Sequence, residues 1–122
     1  MKIILLIEDD INLAELVKIR LESHGYQIIN VPDGLEMLKI MRKTKPDLII
    51  LDIMLPRIDG YKLCRLLKSY EPYKNIPIII FTALTGKESK IMAKDMGAES
   101  YIAKPFDSNK LIGEISNLLK AN

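Results

Sequence analysis

Asp47-Leu48-Ile49-Ile50-Leu51-Asp52-Ile53-Met54-Leu55-Pro56-Arg57-Ile58-Asp59-Gly60 is the stretch around which the rest of the chain is arranged. Its apolar run, interrupted only by Asp52, reads as a strand buried on both faces with an acid at its carboxyl end. A lone carboxylate is costly to bury. Asp52 therefore caps the Pro-containing, Gly-terminated loop that follows, binds a cation, or serves as a nucleophile. In open α/β sheets the ligand crevice lies outside the carboxyl ends of the strands, which is where Asp52 falls.

The chain around this stretch has 122 residues, 48% of them hydrophobic, enough for one core and one domain spanning residues 1–122. Eighteen basic and sixteen acidic residues leave a formal charge of +2, too small and too interspersed to argue for direct nucleic-acid or membrane binding. The single Cys64 has no partner for an internal disulfide. Residues 1–7 look like a short strand rather than a signal peptide, and no apolar stretch approaches the roughly twenty residues needed to cross a bilayer. A cytoplasmic setting is the expectation.

Taken from the start, residues 2–7 form a continuous aliphatic run, hence a buried strand, ending in Glu8, Asp9 and Asp10. Asp10 is placed to cap a helix with Leu13, Leu16, Val17, Arg20 and Leu21 at helical spacing, which stops at Gly25 after a solvated His24. Residues 26–31 make a more polar edge strand. Pro32-Asp33-Gly34 opens a helix with Leu35, Leu38 and Met41 on one face, ended by Thr44-Lys45-Pro46. After the Asp52 strand, Asp59 and Gly60 lead into a helix whose apolar side is Leu63, Leu66, Leu67 and Tyr70, with Cys64 packing beside it and Glu71-Pro72 at its end. Residues 76–81 form a fourth strand finishing in Thr82-Ala83. Thr85-Gly86-Lys87-Glu88 has the spacing of a capping box for a helix running to Met96. Residues 99–103 are the fifth strand, ending at Lys104-Pro105, and Asp107 caps a last helix with Leu111, Ile112, Ile115, Leu118 and Leu119 inward. Five strands alternating with five helices predict an α/β fold, a flavodoxin-like doubly wound (βα)5 sandwich; the strand order 2-1-3-4-5 is taken by analogy.

The polar residues at the strand ends are Glu8 and Asp9, Asp52, Thr82 and Lys104. In this fold they converge on one edge of the sheet. Close carboxylates repel by about 1 to 4 kcal/mol per pair, so a positive charge is required among them. A hard divalent cation such as Mg²⁺ suits carboxylate, carbonyl and phosphoryl oxygens. With Lys104 as a point charge and Thr82 as a hydroxyl donor, these are the parts that stabilise a phosphoryl group in transfer to an aspartate.

With these residues the chain resembles, over its whole length, the receiver domains of bacterial two-component response regulators, the CheY-like superfamily. The resemblance rests on Leu-Leu-Ile-Glu8-Asp9, Leu-Asp52-Ile-Met-Leu-Pro56-Arg-Ile-Asp59-Gly60, Phe-Thr82-Ala83, Gly97-Ala98 and Tyr101-Ile-Ala-Lys104-Pro105. It implies a phosphorylation-activated signalling switch with Asp52 as phosphoacceptor and Glu8 and Asp9 as the acidic pair. Asp9, Asp52 and the Met54 carbonyl would hold Mg²⁺, and Glu8 would act through water or Lys104. Thr82 and Lys104 would contact the phosphoryl group, and Tyr101 would be the aromatic switch of a β4-α4-β5-α5 partner surface. A cis Lys104-Pro105 bond is expected too. The domain would be no enzyme toward other molecules, catalysing only its own phosphorylation and dephosphorylation. Its phosphoryl donor would be a sensor histidine kinase, a histidine phosphotransferase or a small acyl phosphate, and its output a downstream protein or its own output domain. Phosphorylation-dependent dimerisation stays open. Met54 and Leu84 put apolar side chains where some relatives carry polar ones, which implies slow self-dephosphorylation, minutes or longer.

Rival chemistries fit less well. Phosphatases of the haloacid-dehalogenase type place a second Asp two residues after the nucleophile, where this chain has Met54. Flavin carriers of this fold class cradle phosphate after the first strand, where Glu8-Asp9-Asp10 would repel it. A degenerate receiver would lack Asp52 or Lys104. Two architectures remain: a switch acting alone, and the amino-terminal receiver of a longer regulator with a DNA-binding or enzymatic output domain.

Overall fold

A computed structural model describes residues 1–55, 59–84 and 86–120. Its elements alternate without exception: β1 (Ile3–Ile7), α1 (Ile11–Glu22), β2 (Gln27–Val31), α2 (Gly34–Met41), β3 (Leu48–Leu51), α3 (Gly60–Ser69), β4 (Ile78–Thr82), α4 (Lys87–Asp95), β5 (Ser100–Ala103) and α5 (Ser108–Lys120). All strand pairings are parallel, and the sheet order is β2-β1-β3-β4-β5, as expected by analogy. Parallel strands need crossovers, and each crossover here is a helix laid on one sheet face.

Strand side chains alternate between two apolar layers. Leu5, Ile7, Ile49, Leu51, Ile78 and Ile80 point to the layer of Met37, Met41, Leu63, Cys64, Leu67 and Ala93, so α2, α3 and α4 cover that face. Ile4, Leu6, Leu48, Ile50, Ile79, Phe81 and Ile102 point to the layer of Ala14, Val17, Leu21, Leu111, Ile115 and Leu119, so α1 and α5 cover the other. β1, β3 and β4 are covered on both faces, which explains their uninterrupted aliphatic runs. β2 and β5 pair on one side only and carry the polar residues of edges.

Local signals act as expected at the helix starts: Asp10 accepts from the Leu13 amide (3.2 Å), Asp33 from Glu36 (2.9 Å), Asp59 from Tyr61 (2.8 Å) and Asp107 from Asn109 (2.9 Å). The α4 start differs. Its cap position is Gly86, at φ +112° and without a side-chain cap, while Thr85, the expected capping residue, lies outside the described residues.

The inward faces of three helices are narrower than expected. α1 buries Ala14, Val17 and Leu21 while Leu16 and Arg20 face water; α2 buries Met37 and Met41 and leaves Leu35 out; α3 buries Leu63, Cys64 and Leu67 and exposes Leu66, and it ends before Tyr70, its exposed cap. A helix lying on a sheet seals only one narrow stripe, and apolar type alone does not force burial beyond it.

Candidate functional site: an acidic cluster at the switch point of the sheet

Strand order reverses between β1 and β3, whose carboxyl ends open the crevice of a doubly wound sheet. Glu8 and Asp9 leave β1 there, and Asp52 leaves β3 beside them. One carboxylate oxygen from each lies within 4.8 Å of the others. Glu8 and Asp52 are buried, at 2% and 4% exposure, whereas Asp9 faces solvent.

Lys104, from the end of β5, supplies the opposing charge. Its Nζ donates to Asp52 Oδ2 at 2.8 Å and pairs with Glu8 Oε1 at 2.5 Å. Burial disfavours the ammonium, but the two carboxylate hydrogen bonds outweigh it and hold the Lys104 pKa above its ordinary value. Burial also pushes Glu8 up, a shift the Lys104 hydrogen bond only partly reverses. The other Glu8 oxygen, Oε2, accepts from the Asp10 amide at 3.1 Å, so both of its oxygens are engaged within the protein. Lys104 also stands 5.2 Å from the centroid of the buried Phe81 ring, which packs edge-on to Phe106.

Asp52 Oδ1 accepts from the Met54 amide at 2.9 Å, an Asx-type turn that aims the carboxylate back into the crevice. Thr82 ends β4 fully buried; its Oγ1 accepts from the Leu84 amide (3.2 Å), leaving the hydroxyl proton free to donate, and its carbonyl accepts from the Lys104 amide (2.8 Å). The bond from Lys104 to Pro105 is cis. Tyr101 is half-buried against the layer under α4, and its hydroxyl donates to the Leu84 carbonyl. Met54 and Leu84 are exposed. Pro56, Arg57 and Ile58, in the loop after Asp52, lie outside the described residues.

The structure thus brings Glu8, Asp9, Asp52 and Lys104 together, with Thr82 at the adjoining strand end and Tyr101 one strand further. Sequence reasoning passed over three contributors. Asn30, on β2, donates from Nδ2 to the Leu6 and Glu8 carbonyls (3.0 and 3.3 Å) and braces the acidic loop. Phe81 underlies Lys104. Tyr61 donates to the Ser89 carbonyl at 3.3 Å. Asn30 left a signal, a polar residue inside an aliphatic strand; an aromatic in a strand or on a helix does not advertise such a role.

Hard oxygens from three carboxylates, with net negative charge around one ammonium, form a donor set that fits a hard divalent cation of the Mg²⁺ class.

Residues 4–116 match the family model of the response regulator receiver domain, and the chain belongs to that family. It is 38% identical over 117 residues to the DNA-binding dual master transcriptional regulator RpaA of Synechocystis, a match that spans 96% of this chain and 48% of that protein. The chain thus spans about half the length of the curated relatives it matches. Among solved structures it superposes on the receiver domain of a signal transduction histidine kinase from Syntrophus aciditrophicus (TM-score 0.91, 36% identity, 99% of this chain and 92% of that one). It also superposes on the chemotaxis protein CheY4 of Vibrio cholerae (TM-score 0.90, 29% identity, 98% and 99%). Among the described residues no helix is long and apolar enough to cross a membrane.

Proposed function

We propose that the domain, spanning residues 1–122, works as a switch by accepting a phosphoryl group on Asp52. The observation that carries this reading is the Asp52 carboxylate itself: buried, aimed into the crevice by the Met54 amide, and met by Lys104 at 2.8 Å between two further acids. A carboxylate oxygen of Asp52 attacks phosphorus, the bond from phosphorus to the donor's imidazole nitrogen or acyl oxygen breaks, and the leaving group carries away the electron pair. Lys104 then exchanges a carboxylate contact for the phosphoryl oxygens, and the Thr82 hydroxyl donates to the same group. Asp9 and Asp52, with the Met54 carbonyl, would hold Mg²⁺, whose charge offsets that of the phosphoryl oxygens when it is bound. Glu8 keeps Lys104 in place rather than binding the ion directly, in keeping with both of its oxygens being engaged. Drawing Thr82 toward the phosphoryl group biases the seat of Tyr101, and the surface of β4, α4, β5 and α5 reads out the change.

In this reading the chemistry is confined to the domain itself, in a cytoplasmic setting. The donor is a sensor histidine kinase or a histidine phosphotransferase, and the reader is a downstream protein or an attached output domain. That the chain spans about half of a DNA-binding regulator favours, as a second reading, the amino-terminal receiver of a longer transcription factor.

Incubation with acetyl phosphate and Mg²⁺, followed by intact mass, tests the proposal. Wild type gains one phosphoryl group and Asp52→Asn does not; equal gains would refute Asp52 as the acceptor. The apolar Met54 and Leu84 offer no group to orient an attacking water, so the phosphorylated form decays over minutes or longer. A lifetime of seconds with Mg²⁺ would contradict that part.

A further inference from the structure

What α4 contributes to the switch rests on the reading of Asp52 as phosphoacceptor. α4 is weakly held: its one buried side chain is Ala93, its start is an uncapped Gly86, and Ile91 and Met92 face water. Two tyrosine hydroxyls supply what the packing does not. Tyr101 donates to the carbonyl of Leu84, before the helix, and Tyr61 donates at 3.3 Å to the carbonyl of Ser89, in its first turn.

Tyr61 comes from the opposite direction. It is the second residue of α3, and that helix start rides on the backbone of the Asp52 loop. A Cβ at Gly60 would collide with the Ile53 backbone and stand 2.9 Å from the Asp52 carbonyl, so glycine is required for this approach. The Gly60 amide donates to the Ile53 carbonyl (3.4 Å), and the Asp59 carboxylate caps the Tyr61 amide (2.8 Å). The Tyr61 ring packs on the apolar layer beneath α4, which limits its freedom to turn away. The two phenols are neighbours: burial, and after it Tyr61, raises the Tyr101 pKa.

We propose that Tyr61 is a positioning residue of the switch, linking the backbone at Asp52–Ile53 to the first turn of α4 by a route separate from Thr82 and Tyr101. A shift of the Asp52–Ile53 backbone moves the start of α3 at Gly60, and the Tyr61 hydroxyl carries that movement to Ser89. Tyr61 and Tyr101 together form a two-point latch, one on the Leu84 carbonyl before α4 and one on the Ser89 carbonyl in its first turn. With Tyr101 half-buried against the layer under α4 and bonded to the Leu84 carbonyl, as here, the latch favours the arrangement that the switch reading couples to the phosphoryl group. One hydrogen bond of this kind is worth about a three- to tenfold change in an equilibrium.

Tyr61→Phe keeps the ring and its packing and removes only the hydroxyl. Its α4 amides, followed by hydrogen exchange, exchange about three- to tenfold faster than in wild type while those of β1, β3 and β4 are unchanged. Its affinity for beryllofluoride with Mg²⁺ falls by a similar factor. Tyr101→Phe shows a loss of its own, and the double variant loses less than the product of the two singles, because both hydroxyls hold one segment. Wild-type exchange and affinity in Tyr61→Phe, or strictly multiplicative losses, would overturn the proposal. Should Tyr61→Phe fail to fold, a Tyr61 ring ¹³Cζ shift in wild type that does not respond to beryllofluoride overturns it equally. A wild type that neither binds beryllofluoride nor gains phosphoryl mass defeats the Asp52 reading instead, and the exchange of α4 in Tyr61→Phe still judges the tether.

Discussion

At the scale of single residues the site is a charge problem solved halfway. Three carboxylates face one ammonium, and the exposed Asp9 is the one without Lys104 against it. Each close like-charge pair costs about 1 kcal/mol or more at solvent-like dielectric. Asp9→Asn is therefore expected to raise stability by about 1 kcal/mol in the absence of divalent ions. Added Mg²⁺ should raise the melting temperature of wild type and leave this variant unmoved. A variant that melts lower than wild type without metal, or responds to Mg²⁺ as wild type does, would count against the acidic cluster as the ion's seat. Cys64 is a second case in which burial sets the chemistry. Burial pushes its thiol from 9.0 up to about 11. The folded protein thus keeps a proton that the unfolded chain releases, so this stabilisation is whole below pH 9.0 and is lost as pH rises toward 11. The loss between pH 8 and pH 10.5 is about 2 kcal/mol, read as the difference between wild type and Cys64→Ala in urea unfolding at the two pH values. At pH 8 the native thiol should react with disulfide reagents at least about a hundredfold more slowly than a free cysteine.

At the scale of elements, the strands were easier to read than the helix faces. Runs such as Ile78 to Phe81 admit one reading, because every side chain is apolar and both faces of the sheet are covered. On α2 and α3 the apolar residues outnumber the seats the sheet offers. Leu66 and Tyr70, at 54% and 52% exposure, end up with Leu38, Arg42 and Tyr73 along a groove of about 320 Å³ between the two helices. Which residues of an apolar helix lose contact with the core depends on its rotation and tilt on the sheet, and the helical period fixes neither. Lys68 shows the converse, a charged residue drawn inward. Its Nζ donates to the Ile76 carbonyl (2.8 Å), the Lys74 carbonyl (3.3 Å) and Glu99 Oε2 (2.7 Å), while Glu99 Oε1 accepts from the Ile78 amide (2.8 Å). This network ties the end of α3 to the starts of β4 and β5. Lys68→Met leaves the two carbonyls and Glu99 without that donor, and should cost about 2–4 kcal/mol in urea unfolding. A cost under about 0.5 kcal/mol would show that the exposed part of Glu99 dominates and the pair is a surface one.

At the scale of the whole molecule, two apolar layers share one sheet, so β1, β3 and β4 cannot open without breaching both. In native-state hydrogen exchange their amides should be the slowest and define global unfolding, with β2, β5 and α4 exchanging through smaller openings. Protection of β5 equal to that of β3 would contradict this ranking. The local signals in the chain were sufficient for the succession of five strands and five helices, for most of their caps, and for the polar residues that close each strand. These depend on nearest neighbours in sequence: periodicity, capping side chains, and glycines where backbone meets backbone. What sequence spacing could not supply was which strand ends meet. Asp52 and Lys104 are 52 residues apart and 2.8 Å from each other only because the sheet is ordered β2-β1-β3-β4-β5, an order set by packing of the crossovers. The same holds for the Asn30 brace, for the Phe81 ring under Lys104 and for the reach of Tyr61 to Ser89. Each is a contact between elements, and its energy exists only once the sheet has brought them together.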